Sequence, residues 1–150
     1  MVDCRRAERA DLPAIVALLA DDVLGGGREL SGPALDPAYA SAFEAIERDP
    51  NQFLAVAVMD GRVVGTLQLS FLPGLSLHGG WRGQIEAVRI ASDLRGRGLG
   101  RQMIGWAIEQ CRARGCRLVQ LTTNAARSDA QRFYEQLGFQ RSHVGYKLEL

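Results

Sequence analysis

The chain has 150 residues, 47% apolar and 23% charged, enough for one compact core and unlike a disordered sequence. No apolar run nears the roughly 20 residues that cross a bilayer, and Met1-Val2-Asp3-Cys4-Arg5-Arg6 lacks the hydrophobic stretch of a secretory signal; a cytoplasmic protein with no membrane partner is expected. The net charge of +1 is split: residues 1–50 hold five arginines against ten carboxylates, and residues 81–150 hold eleven arginines and one lysine against six. A basic half suits a polyanion and an acidic half a cation, although solvated surface charge alone gives the same pattern.

Asp11-Leu12-Pro13 sets an N-cap carboxylate before a proline and predicts a helix start. Ile15, Leu18 and Leu19 give that helix an apolar face, ending before Gly25-Gly26-Gly27. Asp36-Pro37 repeats the signal, with Tyr39, Phe43 and Ile46 at i, i+4 and i+7. The glycine-rich connection between these helices is of a kind that can shape a substrate entrance. Phe53 to Met59 reads as a strand, Asp60-Gly61 as a two-residue hairpin turn, and Arg62 to Phe71 as the returning strand. Pro73 to Gly83 is a loop with four glycines, and Gln84 to Ile90 another strand. A third helix follows Gly100, with Met103, Ile104, Ala107, Ile108 and Cys111 on one face and Gly115 placed to end it. Cys116 to Thr122 is strand-like, and Ser128 with Gln131 has capping-box spacing for a short helix closing at Gly138. The tail alternates Val144, Tyr146, Leu148 and Leu150, the pattern of a final half-buried strand. No repeat, low-complexity tract or linker interrupts the chain, so residues 1–150 read as one domain of α+β class with a mixed sheet.

The segment richest in chemistry is Val88-Arg89-Ile90-Ala91-Ser92-Asp93-Leu94-Arg95-Gly96-Arg97-Gly98-Leu99-Gly100-Arg101. A strand feeding a glycine loop that opens a helix aims unpaired backbone N–H groups and the positive helix end at one point. Glycines let an anion approach the main chain, and Arg89, Arg95, Arg97 and Arg101 add charge. A phosphorylated ligand fits. A Walker A loop is excluded because no Gly-Lys pair exists, and G-x-G-x-x-G fails from both Gly96 and Gly98. What matches is R-x-x-G-x-G, as Arg95, Gly98 and Gly100.

Arg95-Gly96-Arg97-Gly98-Leu99-Gly100 resembles the acetyl-CoA pyrophosphate loop of the GNAT superfamily of N-acetyltransferases. Downstream, Asn124 followed by Phe133-Tyr134-Glu135-Gln136-Leu137-Gly138-Phe139 resembles that family's later motif, F-Y-x-x-L-G-F on a short helix. The resemblance implies a mostly antiparallel, twisted mixed sheet flanked by helices and splayed between its two central strands. It also implies acetyl transfer from acetyl-CoA, as co-substrate, to an amine in a ternary complex.

Amine attack on a thioester calls for a base, an oxyanion donor and an acid. The resemblance assigns Tyr134 as the acid that protonates the departing thiolate; the alternative is a tyrosine that only anchors its helix. Glu86, two residues before Val88, is the base candidate. As a lone carboxylate among apolar residues it would have a raised pKa, while an exposed or paired strand residue is the other reading. Strand alternation sets Glu86 and Val88 on one face, Ile85 and Ala87 on the other. In the family arrangement a bulge near Val88 frees the oxyanion N–H, main-chain groups of Val88 and Ile90 bind the pantetheine arm, and Asn124 approaches the cofactor unless it is simply a turn residue.

His78 and His143 are isolated, and no metal constellation includes them. Cys4, Cys111 and Cys116 form no zinc pattern and read as reduced thiols, the latter two in packing roles. Acceptor specificity is implied to lie in Leu19 to Ala40 and Pro73 to Arg82, where Asp21, Asp22, Glu29 and Asp36 either attract a cationic amine or serve as helix-end carboxylates. A small-molecule amine is the expected acceptor, with a protein N-terminus or lysine as the variant. A catalytically silent CoA-binding sensor or interaction module is the competing function. No nucleic-acid motif is present, so no such partner is expected; the family resemblance allows a homodimer.

Overall fold

Alternating apolar residues and a tight turn build the sheet first. In the computed structural model, which describes residues 2–21, 29 and 34–150, Gln52–Met59 and Arg62–Leu72 form the hairpin β2–β3. Asp60 and Gly61 both take left-handed backbone angles (φ 51° and 76°), as a two-residue hairpin turn requires. β1 (Asp3–Arg6) and β4 (Arg82–Ile90) add antiparallel on either side, and β5 (Leu118–Leu121) follows β4, giving the order β1-β2-β3-β4-β5. The helices are α1 (Leu12–Ala20), α2 (Pro37–Arg48), the single turn α3 (Ser76–Gly79), α4 (Leu99–Ala113) and α5 (Ser128–Gln136). This open mixed sheet flanked by helices is the expected α+β class. The chain falls into two compact units, Met1–Gln120 and Leu121–Leu150.

In the first unit α4 packs on the sheet through Met103, Ile104, Ala107 and Cys111, all fully buried. Burying each of the larger apolar side chains contributes about 1.5–3 kcal/mol. Two glycines allow the close approach: a Cβ on Gly65 would lie 2.5 Å from Met103 Sδ, and one on Gly83 would lie 2.3 Å from Cys111 Sγ. Val56 pairs with Thr66, one residue along from Gly65, and so faces the other way. There Ala7, Leu12, Ile15, Phe43 and Val56 form the cluster that seats α1 and α2.

Helix ends follow the sequence signals unevenly. Asp36 caps α2 by accepting from the Ala38 N–H at 2.8 Å. Asp11 does not cap α1. Its carboxylate faces back to the Glu8 N–H (2.7 Å) and the Arg5 guanidinium (2.7 and 3.0 Å), because a 3-10 turn over Arg9–Asp11 precedes the helix. Gly115 (φ 75°) ends α4, with the Cys116 N–H donating to the Cys111 carbonyl. The expected loop over Pro73 to Gly83 contains α3, where Leu77 and His78 are left-handed, and β4 starts two residues earlier than predicted.

In the second unit Ser128 is the first residue of α5, not its cap, and Gln131 Nε2 donates to the Ala125 carbonyl. Gly138 (φ 93°) closes the helix, and the Phe139 N–H donates to the Tyr134 carbonyl. The tail forms no strand. Val144, Tyr146 and Leu148 are 79%, 93% and 86% exposed. Alternation specifies the two faces of a strand but not the edge it pairs with, and among the described residues none pairs with this one.

Candidate functional site

The loop between β4 and α4 is pinned at both ends. Ala91 donates its N–H to the Val64 carbonyl at 2.9 Å, Leu94 and Leu99 are buried, and Arg62 grips Asp93 through two bonds of 2.8 and 3.0 Å. The guanidinium holds the Asp93 carboxyl below the ordinary carboxylate range. Gly96 (φ 76°) and Gly98 (φ 81°, ψ 0°) take left-handed conformations that L-residues disfavour. A Cβ on either would meet nothing within 4 Å. Gly98 is the N-cap of the 15-residue α4 and supplies no side-chain cap, so the first-turn N–H groups face an open cradle. Arg97 and Arg101 are exposed beside it, and Gly100 lies half-buried in the first turn.

Arg95 is engaged elsewhere. Its Nε donates to the Ile90 carbonyl (3.2 Å) and its Nη2 to the Asp21 carbonyl (3.0 Å), tying the loop to the end of α1. Arg89 Nη1 donates to the Val88 carbonyl at 2.8 Å. Arginine side chains thus bond the carbonyls of both Val88 and Ile90, the main-chain positions predicted to receive an extended ligand.

Upstream of the loop, β4 bulges. Thr66 pairs with Arg89 and Gln68 with Glu86, so Ala87 and Val88 together oppose Leu67 alone. Ala87 is left-handed (φ 53°), which costs an L-residue about 1–2 kcal/mol. This bulge breaks the alternation predicted past Glu86. It also lies where an oxyanion N–H near Val88 is expected.

Glu86 is exposed and accepts from Gln84 Nε2, and Gln84 Oε1 accepts from Gln120 Nε2 at 2.9 Å. Of the two settings the sequence left open, Glu86 has that of an exposed, partnered strand residue and not of a lone carboxylate among apolar ones: it belongs to a polar row, opposite Gln68 in register.

In the second unit Tyr134 is half-buried, with its ring edge-on to Phe133 (5.2 Å) and Phe139 (5.8 Å). Asn124 folds its own turn, Oδ1 accepting from the Ala126 N–H at 2.9 Å and its carbonyl from the Arg127 N–H. Of the acceptor-side carboxylates, Asp36 caps α2, Asp21 lies 3.9 Å from Arg95, Glu29 accepts from the Tyr39 hydroxyl at 2.8 Å, and Asp22 lies outside the described residues. Burial pushes the Cys111 thiol up to about 11, in keeping with a packing role.

The family model for the GNAT acetyltransferases matches residues 14–139, spanning the glycine loop and the F-Y-x-x-L-G-F helix. The chain belongs to the GNAT acetyltransferase family. An aminoalkylphosphonate N-acetyltransferase of Salmonella typhimurium is 34% identical over 145 residues, covering 96% of this chain and 88% of the relative. Two solved structures superpose over nearly the whole length. One, from Bacillus halodurans C-125, is described as a transcriptional regulator (48% identity, TM-score 0.97, 100% of both chains). The other is a putative acetyltransferase from Agrobacterium tumefaciens (30% identity, TM-score 0.85, 99% of both chains). The GNAT chain is thus an acyltransferase whose relatives are named as N-acetyltransferases.

Three features of this GNAT site carried no sequence signal. Arg62 and Asp93 are 31 residues apart, so their pairing exists only in the folded sheet. Ala87 is a residue type that does not favour positive φ. The glutamine row assembles from different strands, and each glutamine alone reads as surface.

Proposed function

We propose that this chain moves the acetyl group of acetyl-CoA to the primary amine of a small molecule by direct attack in a ternary complex. The observation that carries this is the pinned left-handed glycine loop, whose open cradle at Gly96 and Gly98 and whose helix N-terminus fit a diphosphate flanked by Arg97 and Arg101. Arg89, Arg95, Leu99 and Gly100 complete the loop's contribution, the main chain of Val88 and Ile90 receives the pantetheine arm, and Asn124 adds a contact to the cofactor. Acetyl-CoA supplies the activated acyl group. The amine nitrogen forms the new C–N bond, the C–S bond breaks, and CoA leaves as the thiol. Glu86, acting through water, takes the amine proton; support for this is its exposed position on β4 next to the bulge. Tyr134 donates the proton that the departing sulfur needs, a role supported by its place in the F-Y-x-x-L-G-F motif. A phenol, with reference pKa near 10, carries that proton at neutral pH.

That the acceptor is a small molecule is supported by the Salmonella relative, whose name gives an aminoalkylphosphonate as its substrate. The enzyme works in the cytoplasm. Two copies associate, a reading supported by the exposed apolar residues Val144, Tyr146, Leu148 and Leu150.

A second reading, a CoA-binding regulator without turnover, is favoured by the description of the Bacillus halodurans protein. Thiol release during incubation with acetyl-CoA and a panel of amines separates the two. Turnover supports the enzyme, and CoA binding with no thiol released from any amine supports the regulator.

A further inference from the structure

Between α1, α2 and strands β2, β3 and β4 lies a cavity of about 140 Å³. Its wall includes Ile15 and Leu19 of α1, Tyr39 and Phe43 of α2, Gln68 of β3 and Ala87 at the bulge. Among the described residues, none of the lining side chains carries a charge. Three polar groups in the wall already have partners: Thr66 Oγ1 donates to the Ala55 carbonyl (2.9 Å), Gln68 Nε2 to Gln52 Oε1 (2.8 Å), and the Tyr39 hydroxyl to Glu29 (2.8 Å).

We infer that this cavity seats the body of the acceptor, and that the acceptor is a primary amine carrying an apolar group the size of a phenyl ring or a branched alkyl chain of about five carbons. The inference rests on the acetyl-transfer reading above and adds the substrate class to it. Size supports it, because a dry cavity of about 150 Å³ lined by aliphatic and aromatic side chains holds benzene. Chemistry supports it as well. A phosphonate or phosphate pushed into this wall would lose its water and meet no cation among the described residues that line it, a cost such a lining does not repay.

Position completes the case. The cavity abuts Ala87, beside the Val88 N–H proposed for the oxyanion, and Glu86 stands opposite Gln68 in register, next to the cavity wall. An amine whose apolar end fills the cavity would present its nitrogen between the bulge and the Glu86 carboxylate. Carboxylates at Glu86 and Glu29 draw the ammonium form toward this face, while the hydrocarbon wall selects the group attached to the nitrogen.

The test measures thiol release from acetyl-CoA with 2-phenylethylamine, isoamylamine, ethylamine, 1-aminoethylphosphonate and glucosamine 6-phosphate. The expected result is a kcat/KM for 2-phenylethylamine and isoamylamine at least tenfold above that for ethylamine, with the phosphorylated amines slowest. In Ala42→Phe, which adds a ring to the exposed part of the wall, the preference for 2-phenylethylamine over ethylamine should fall at least fivefold. Ile46→Phe is the second variant, and CoA affinity checks that either has folded. Faster turnover of the phosphorylated amines, or an unchanged preference in both folded variants, overturns this inference while leaving acetyl transfer intact. CoA binding with no thiol released from any amine overturns acetyl transfer, and this inference with it.

Discussion

Replacing Gly98 by alanine isolates the cradle from the rest of the fold. Gly98 and Gly61 share nearly the same φ (81° and 76°), and a Cβ on either meets nothing within 4 Å. Gly61→Ala and Gly98→Ala should therefore each cost only the left-handed penalty, about 1–2 kcal/mol. In a chain of this size that is a fall in Tm of about 2–8 °C, the same for both. Their effects on ligand should differ. Gly61 sits in the β2–β3 turn, whereas the new methyl at Gly98 would project where the diphosphate approaches the α4 N–H groups. Calorimetric titration with CoA should show affinity unchanged in Gly61→Ala and at least tenfold weaker in Gly98→Ala, a loss of about 1.4 kcal/mol. Equal CoA affinity in the two variants would refute the cradle, and with it the reading of this loop as a diphosphate site.

Tyr134→Phe keeps the ring contacts to Phe133 and Phe139, so the fold and CoA affinity should persist while kcat drops about 10²-fold or more; an unchanged kcat removes the acid assignment. Glu86→Gln should lower kcat/KM most at low pH, where the amine holds its proton hardest, and a loss that is flat across a pH series speaks against the base role. Asp11 is held below the ordinary carboxylate range by its bonds from Arg5 and from the Glu8 N–H. Because its folded pKa is depressed, the stabilisation is present above the unfolded value near 4 and is lost as pH falls through the folded value. Asp11→Asn should thus cost about 2 kcal/mol at pH 7 and progressively less toward pH 3 in denaturant titrations, and a penalty independent of pH would contradict the ion-pair account.

Local chemistry was legible where it is local in cause. Asp60-Gly61 and Gly115 are turn and cap residues whose conformation follows from their own backbone freedom, and the structure has them left-handed. The core face of α4 was readable from the spacing of Met103, Ile104, Ala107 and Cys111, since helix period alone sorts them. Capping was less legible at Asp11 and Ser128. A carboxylate or hydroxyl before a helix has several donors within reach, and the Arg5 guanidinium won at Asp11. The tail shows the limit most clearly: its period of two is a strand's, but pairing requires an edge that the chain's own sequence does not name.

By itself the sequence determined the family, the glycine loop and most of the helices and strands, because motifs and periodicities are written in contiguous residues; β1 and α3 were not read from it, and the predicted final strand does not form. The tertiary structure alone decided that Arg95 faces Asp21 and the Ile90 carbonyl, that β4 bulges at Ala87, and that Glu86 lies in a polar row beside a cavity whose described lining is uncharged. Those facts depend on groups brought together from separate strands and helices, and the energy of such contacts is absent until those elements have packed together.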